Sequence, residues 1–185
     1  MPQPPADEAL LAAFRQSGDR KALNQLLARH LRPIRAVVFA MVLDHAAADD
    51  VTQEVFLQAF RRLDSYREEA QFSTWLYRLA INATYTFLRR QRGSPLEYMP
   101  DPPEAAGTKY GAAQAVLQAE LDAQITSALA SLSPKLRAVI VLTTIHQASI
   151  PEVAAMEGCS QATVYWRLHK ARRLLKRRLR RYLSS

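Results

Sequence analysis

The sequence holds a single cysteine, Cys159, among its 185 residues. One thiol cannot close an internal disulfide, and this usage fits a reducing compartment, so a cytoplasmic location is expected. Glycine is scarce, at five residues. No stretch alternates apolar with polar side chains for the length of a strand. Apolar runs of the roughly 18 residues needed to cross a bilayer are missing. The segment from Met1 to Glu8 carries acids and no base, so it does not read as a secretory signal. Catalytic groupings are missing too. His30, His45, His146 and His169 are scattered. No cysteine–histidine set has metal spacing, and no glycine-rich phosphate loop is present. Neither an enzyme nor a metal or cofactor site is expected, and Cys159 reads as a small packing residue.

What remains points to an all-α protein that meets an anion. Hydrophobic residues make up 49% and charged residues 23%, a globular balance. Lys and Arg number 25 against 17 Asp and Glu, a net charge of +8. Such an excess suits nucleic acid or an acidic membrane surface. The charge is uneven, at +3 over residues 1–92, −3 over 93–120 and +8 over 121–185. The acidic middle also contains Pro95, Pro100, Pro102 and Pro103 with Gly93, Gly107 and Gly111. Proline removes backbone donors and glycine removes stiffness. The expected organisation is therefore two small helical domains, 1–92 and 112–185, joined by a flexible linker over 93–111. A single domain with a long surface loop is the alternative.

Start and stop signals divide each half further. Gly18 ends a first helix from about Asp7, and Asp19 caps a second that reaches about Leu43 and bends at Pro33. A third helix spans about Ala47 to Leu63, and a fourth about Ser73 to Arg92. In the second half, a helix over about 112–131 precedes Ser133-Pro134, a cap with a first-turn proline that opens a helix to about His146. Ser149 and Glu152 have the spacing of a capping box. Gly158 breaks that helix, and Ser160 caps a long one from Gln161 to about Leu183.

Two short helices around a glycine turn, the second one basic, suggest a helix-turn-helix. On the last helix Val164, Leu168, Ala171, Leu175, Leu179 and Tyr182 form one apolar stripe. Thr163, Trp166, Arg167, Lys170, Arg173 and Arg177 lie opposite, with Ser160 at the cap. This face can enter a major groove, arginine reading guanine and the others holding phosphate. Between Arg167 and Arg181 nine of fifteen residues are basic and none is acidic. A solvated helix would mix signs to avoid self-repulsion.

On the third helix Thr52, Val55, Phe56, Ala59, Phe60 and Leu63 are expected to face the core. Asp50, Gln53, Glu54, Leu57 and Arg61 share the other side, an apolar leucine ringed by polar groups, which suits protein docking. On the fourth, Leu76, Leu79, Ala80, Ala83 and Phe87 form the core stripe. Trp75, Arg78, Asn82, Tyr85 and Arg89 fall together elsewhere. Arginine beside aromatic rings is what a single-strand platform needs.

Three segments carry a resemblance: Asp49-Asp50-Val51-Thr52-Gln53-Glu54-Val55-Phe56-Leu57, then Phe72 to Asn82, then Leu88-Arg89-Arg90-Gln91-Arg92. Together they resemble the first domain of extracytoplasmic-function sigma factors of the sigma-70 family. Leu132-Ser133-Pro134 through Ala171-Arg172 resembles the second. The resemblance implies an alternative sigma factor that binds core RNA polymerase and directs promoter-specific initiation. It implies docking of Asp50, Gln53, Glu54, Leu57 and Arg61 on the clamp of the largest subunit, with the second domain on the flap. It implies that the loop from Arg67 to Gln71, with Trp75, Arg78, Asn82, Tyr85, Arg89 and Arg90, holds the melted minus-ten strand. The second helix-turn-helix helix would read the minus-thirty-five element. A membrane-anchored anti-sigma factor is implied as a further partner, one that holds the inactive protein near the membrane. Thr86 stands where family members often carry aspartate, which leaves detailed base preference open. The rivals are a dimeric helix-turn-helix repressor or activator and a basic membrane-surface adaptor.

Overall fold

The computed structural model describes residues 6–92 and 112–180, and these fold into helices alone. The first four are α1 (Asp7–Ser17), α2 (Arg20–Val42), α3 (His45–Arg62) and α4 (Phe72–Arg92), with a 3-10 turn at Leu63–Ser65 after α3. The next four are α5 (Ala112–Ala130), α6 (Pro134–Thr144), α7 (Ile150–Glu157) and α8 (Gln161–Arg178). The expected linker over 93–111 lies outside the described residues, as do Arg181 and Tyr182.

Local chemistry sets most of the boundaries. Gly18 ends α1 in the left-handed region at φ 68°, where its N–H donates to the Phe14 carbonyl. The Asp19 carboxylate accepts from the N–H groups of Lys21 and Ala22 at 2.8 and 3.3 Å and so opens α2. Helix α2 runs through Pro33 as one helix and stops at Leu43, a non-glycine residue at φ 63°. Burial of the Leu43 side chain holds that strained cap in place. Helix α3 begins two residues before the expected Ala47, because Asp44 caps it by accepting from the Ala47 N–H at 2.6 Å. The capping box is present on α7, where the Ser149 N–H donates to Glu152 Oε2 at 2.7 Å, and Gly158 closes that helix at φ 61°.

Helices α1, α3 and α4 pack around α2, which buries Leu26, Ile34, Val38 and Met41 completely. Helices α6, α7 and α8 form a second group around Val139, Leu142, Val153 and Val164. The two groups meet: α7 lies along α4, α6 lies against α2, and one apolar core runs through both. A buried guanidinium and a ring stack are among the contacts that fix this junction. Buried Arg137 on α6 donates to the Met41 carbonyl of α2 at 2.5 Å and to the carbonyls of Ala130 and Leu132 at 3.2 and 3.3 Å. The His146 ring, just past α6, stacks on buried Tyr77 of α4 with centroids 3.7 Å apart.

The stack makes the junction sensitive to acid. Burial holds the His146 imidazole below its ordinary value of 6.5; nearby Glu152 pulls the other way and His30 adds to the lowering. The packed form therefore favours neutral His146. Its contribution is complete above about pH 6.5 and is lost as pH falls below that value. After correction for the slower chemical exchange in acid, amide protection across α4 and α7 should be lower at pH 5.5 than at pH 7.5, and a His146→Phe variant should show no such loss.

Candidate nucleic-acid interface

Helix α3 exposes the residues expected to dock, and one more. Asp50, Gln53, Glu54 and Arg61 are exposed, and Leu57 is 45% exposed. Phe60, expected in the core, is 60% exposed. The reason is phase: at about 100° per residue, Phe60 lies roughly 140° around the helix from fully buried Val55. It stands three residues from Leu57 on the same side, so the surface carries two large apolar groups. The Glu54 carboxylate accepts from the Gln58 amide at 2.8 Å along the helix.

A cavity of about 540 Å³ opens between α3 and α4. Asp50 and Glu54 line one wall, and Asn82, Thr86 and Arg90 the other. Two residue sets expected to serve different partners thus share one cleft.

The loop before α4 builds a second recess. Ser65, Tyr66, Arg67 and Glu69 surround it with Trp75 and Arg78, and it encloses about 190 Å³. Trp75 is half-buried, with its ring 5.2 Å from Tyr66 and 5.5 Å from Phe72, so one edge packs and the other faces the recess. The loop is held from outside by Arg15 of α1. This guanidinium donates to the Tyr66 carbonyl at 2.5 Å and to that of Leu63 at 3.3 Å, and it pairs with Glu68. Glu68 itself sits in the left-handed region at φ 60°. Gln71 and Arg67 are exposed, and the Gln71 carbonyl accepts the first N–H contact of α4 from Trp75.

Further along α4, Arg78, Asn82 and Arg89 of the expected single-strand face are exposed and Tyr85 is half-buried, and two of these residues reach α7. Arg78 donates twice to the Ala155 carbonyl of α7, at 3.1 and 2.8 Å. The Tyr85 hydroxyl donates to Glu157 at 2.7 Å. Burial and the Glu157 charge push that hydroxyl far above its ordinary value, so it stays protonated. Asn82, Tyr85 and Arg89 line a cleft whose far wall is Ser133, Pro134 and Lys135.

Helix α8 has the expected stripe, with Val164, Leu168 and Ala171 buried and Leu175 and Leu179 half-buried. Ser160 caps it by accepting from the Thr163 N–H at 3.2 Å, and the two hydroxyls lie 2.9 Å apart. Trp166 and its neighbour Tyr165 are each 60% exposed, and the Lys170 ammonium sits 4.8 Å above the Trp166 ring. Arg173 and Arg177 are exposed. Arg167 departs from Trp166, Arg173 and Arg177: its side chain is 17% exposed and its guanidinium donates to Glu157 at 2.8 Å.

Two family matches cover these parts. Residues 26–94 match Sigma-70 region 2 and residues 122–175 match Sigma-70, region 4. The ECF RNA polymerase sigma-E factor of Escherichia coli (strain K12) is 34% identical over 165 residues, which cover 85% of this chain and 86% of the relative. The chain belongs to the extracytoplasmic-function sigma factors of the sigma-70 family.

Other relatives agree with that placement. The ECF RNA polymerase sigma factor SigM of Mycobacterium tuberculosis is 33% identical over 174 residues, covering 94% of this chain and 85% of its own length. The structure of CnrH in complex with the cytosolic domain of CnrY matches at TM-score 0.70 and 30% identity, over 94% of this chain and 97% of that one. The sigma factor RpoE in complex with the anti-sigma factor NepR from Bartonella quintana matches at TM-score 0.71 and 24% identity, over 86% of this chain and 98% of that one, and shares the fold. This sigma factor is a transcription initiation factor and not an enzyme. No helix among its described residues is long and apolar enough to cross a membrane.

Sequence reasoning missed three contributors to the site. Phe60 was masked by its neighbour Phe56, which does pack on the core. Arg15 and Glu157 act across long sequence separations that no local pattern reveals. If Arg15 fixes the recess, an Arg15→Met change should speed hydrogen exchange at residues 64–71 about tenfold and leave α6 to α8 unchanged.

Proposed function

We propose that this sigma factor docks on core RNA polymerase through Asp50, Gln53, Glu54, Leu57, Phe60 and Arg61, on the clamp of the largest subunit. The single observation that supports this most is the pairing of exposed Leu57 and Phe60 inside a charged rim on α3. Protein interfaces place apolar and aromatic anchors within such rims. The second docking point is the flap. A groove of about 210 Å³ between α5, α6 and α8 is lined by Ile125, Leu129, Ile140, Ile145, Leu175 and Leu179, with Thr144 its one polar residue, and it suits an apolar partner helix.

In this reading residues 1–92 act on the minus-ten element and residues 112–185 on the minus-thirty-five element, with 93–111 as the tether. The recess beside Trp75 takes a base drawn out of the duplex, and Arg67, Gln71, Arg78, Asn82, Tyr85, Arg89 and Arg90 hold the unwound strand. On α8, Thr163, Trp166, Lys170, Arg173 and Arg177 face duplex DNA, Ser160 orients the helix start, and Arg167 reads guanine when released from Glu157. Control falls to an anti-sigma factor anchored in the membrane, which keeps the cytoplasmic sigma factor from polymerase. Two matched structures are complexes with a second protein, one of them a named anti-sigma factor.

Reconstituted transcription tests the reading. The chain added to core polymerase should start specific RNA synthesis from its promoter with no other specificity subunit, and absence of product would remove the proposal. Leu57→Glu and Phe60→Glu should each weaken core binding by about 2 kcal/mol, near thirtyfold, with circular dichroism unchanged. Trp75→Ala should slow promoter opening more than it weakens duplex binding. A collapse of thermal stability instead would reassign Trp75 to the core.

A further inference from the structure

One carboxylate sits where the two nucleic-acid faces meet. The Glu157 side chain is fully buried at the end of α7. It accepts from Tyr85 of α4 at 2.7 Å through Oε1, and from Arg167 of α8 at 2.8 Å through Oε2. Lys135 Nζ lies 3.7 Å from Oε2 and 4.3 Å above the Tyr85 ring. Next to it, the Ala155 carbonyl takes both donors of Arg78 and lies at the rim of the Trp75 recess.

We propose that α7 is an internal stand-in for promoter DNA, and that Glu157 is the clasp that holds the free sigma factor closed. The inference rests on reading α4 and α8 as the nucleic-acid faces. Arg78, Tyr85 and Arg167 are the groups such a reading needs for phosphate, base and guanine. Each is engaged here by an oxygen of one eight-residue helix. A carboxylate that accepts from a hydroxyl and a guanidinium presents the same acceptors that a phosphate would.

The arrangement is more than a stabilising ion pair. A pair needs one cation, and Arg167 lies in the same unit as Glu157. The contacts to Tyr85 and Arg78 reach across the junction, to residues 72 and 77 positions away. Opening the molecule exchanges the Tyr85 and Arg78 bonds to α7 for bonds to water, and the difference opposes separation. DNA or polymerase that binds only the open form must overcome this difference, so the clasp lowers apparent affinity by the closed-to-open ratio.

Small-angle scattering and DNA binding of the full chain, wild type against Glu157→Gln, test the proposal. The probes are a mixed-sequence single-stranded oligonucleotide and a mixed-sequence duplex, each labelled for anisotropy. Removing the charge should enlarge the radius of gyration and tighten single-strand binding about tenfold. An unchanged radius overturns the clasp. Expansion with unchanged affinity for both probes overturns the stand-in role. Should Glu157→Gln fail to fold, Tyr85→Phe removes only the hydroxyl, and an unchanged radius for that variant again overturns the proposal. The scattering arm uses neither polymerase nor promoter. Failure of core-dependent transcription would therefore count against the functional reading alone and leave the clasp to be decided by the radius.

Discussion

Helix α2 must be buried along one continuous face. Leu23, Leu26, Ile34, Val37, Val38, Met41 and Val42 are buried from one end of that face to the other, while Lys21, Asn24, Gln25, Ala28, Leu31 and Arg32 on the opposite side are exposed. A helix of 23 residues is about 35 Å long, so it offers a spine as long as a small domain. Helices α1, α3 and α4 cover most of it, and α6 covers its C-terminal end. The Met41 carbonyl, in the last turn of α2, lacks a helical partner of its own and takes one from Arg137. The same demand that builds the first helical group thus draws the second onto it.

From that packing follows the exposure of the functional surfaces. With α2 filling one side of α3, the opposite side of α3 is left free with Leu57 and Phe60. With α7 along α4, the face carrying Arg78, Tyr85 and Asn82 is turned toward the junction. Arg78 and Tyr85 of α4 bond to α7 while Asn82 and Arg89 stay exposed, and Leu57 and Phe60 of α3 are left uncovered. The recess beside Trp75 sits at the border, shaped by a loop that Arg15 holds from a distance.

Much of this was legible in the residue order. Caps announced themselves at Asp19, Ser149 and Ser160, and stops at Gly18 and Gly158, because those signals act within one helical turn. The stripe of α8 followed from spacing, as did Leu76, Leu79 and Ala80 on α4, whereas Ala83 and Phe87 are only half-buried and Tyr77, Ile81 and Thr84 are buried instead. What escaped notice has a common cause. Phe60 follows Phe56 at a spacing that still suggests one face, and only the neighbours settle which aromatic packs. Asp44 precedes a run of alanines with no apolar marker to show where α3 begins. Arg137, Arg15 and Glu157 are charged residues that no local pattern ties to a partner, yet each is engaged across the fold. Sequence periodicity reports which side of a helix is apolar; it does not report what comes to lie against the polar side.

The burial of Glu157 has a consequence for ionic strength. In the proposed reading the exposed arginines of α8 hold phosphate, and small ions reach them freely, so added salt would weaken that hold through counterion release. They do not reach a carboxylate enclosed by Tyr85, Arg167 and Lys135 to the same degree. Raising the salt concentration therefore erodes the pull of DNA sooner than it erodes the grip of the molecule on itself. In concentrated electrolyte the balance moves toward the shut form, and dilution favours release.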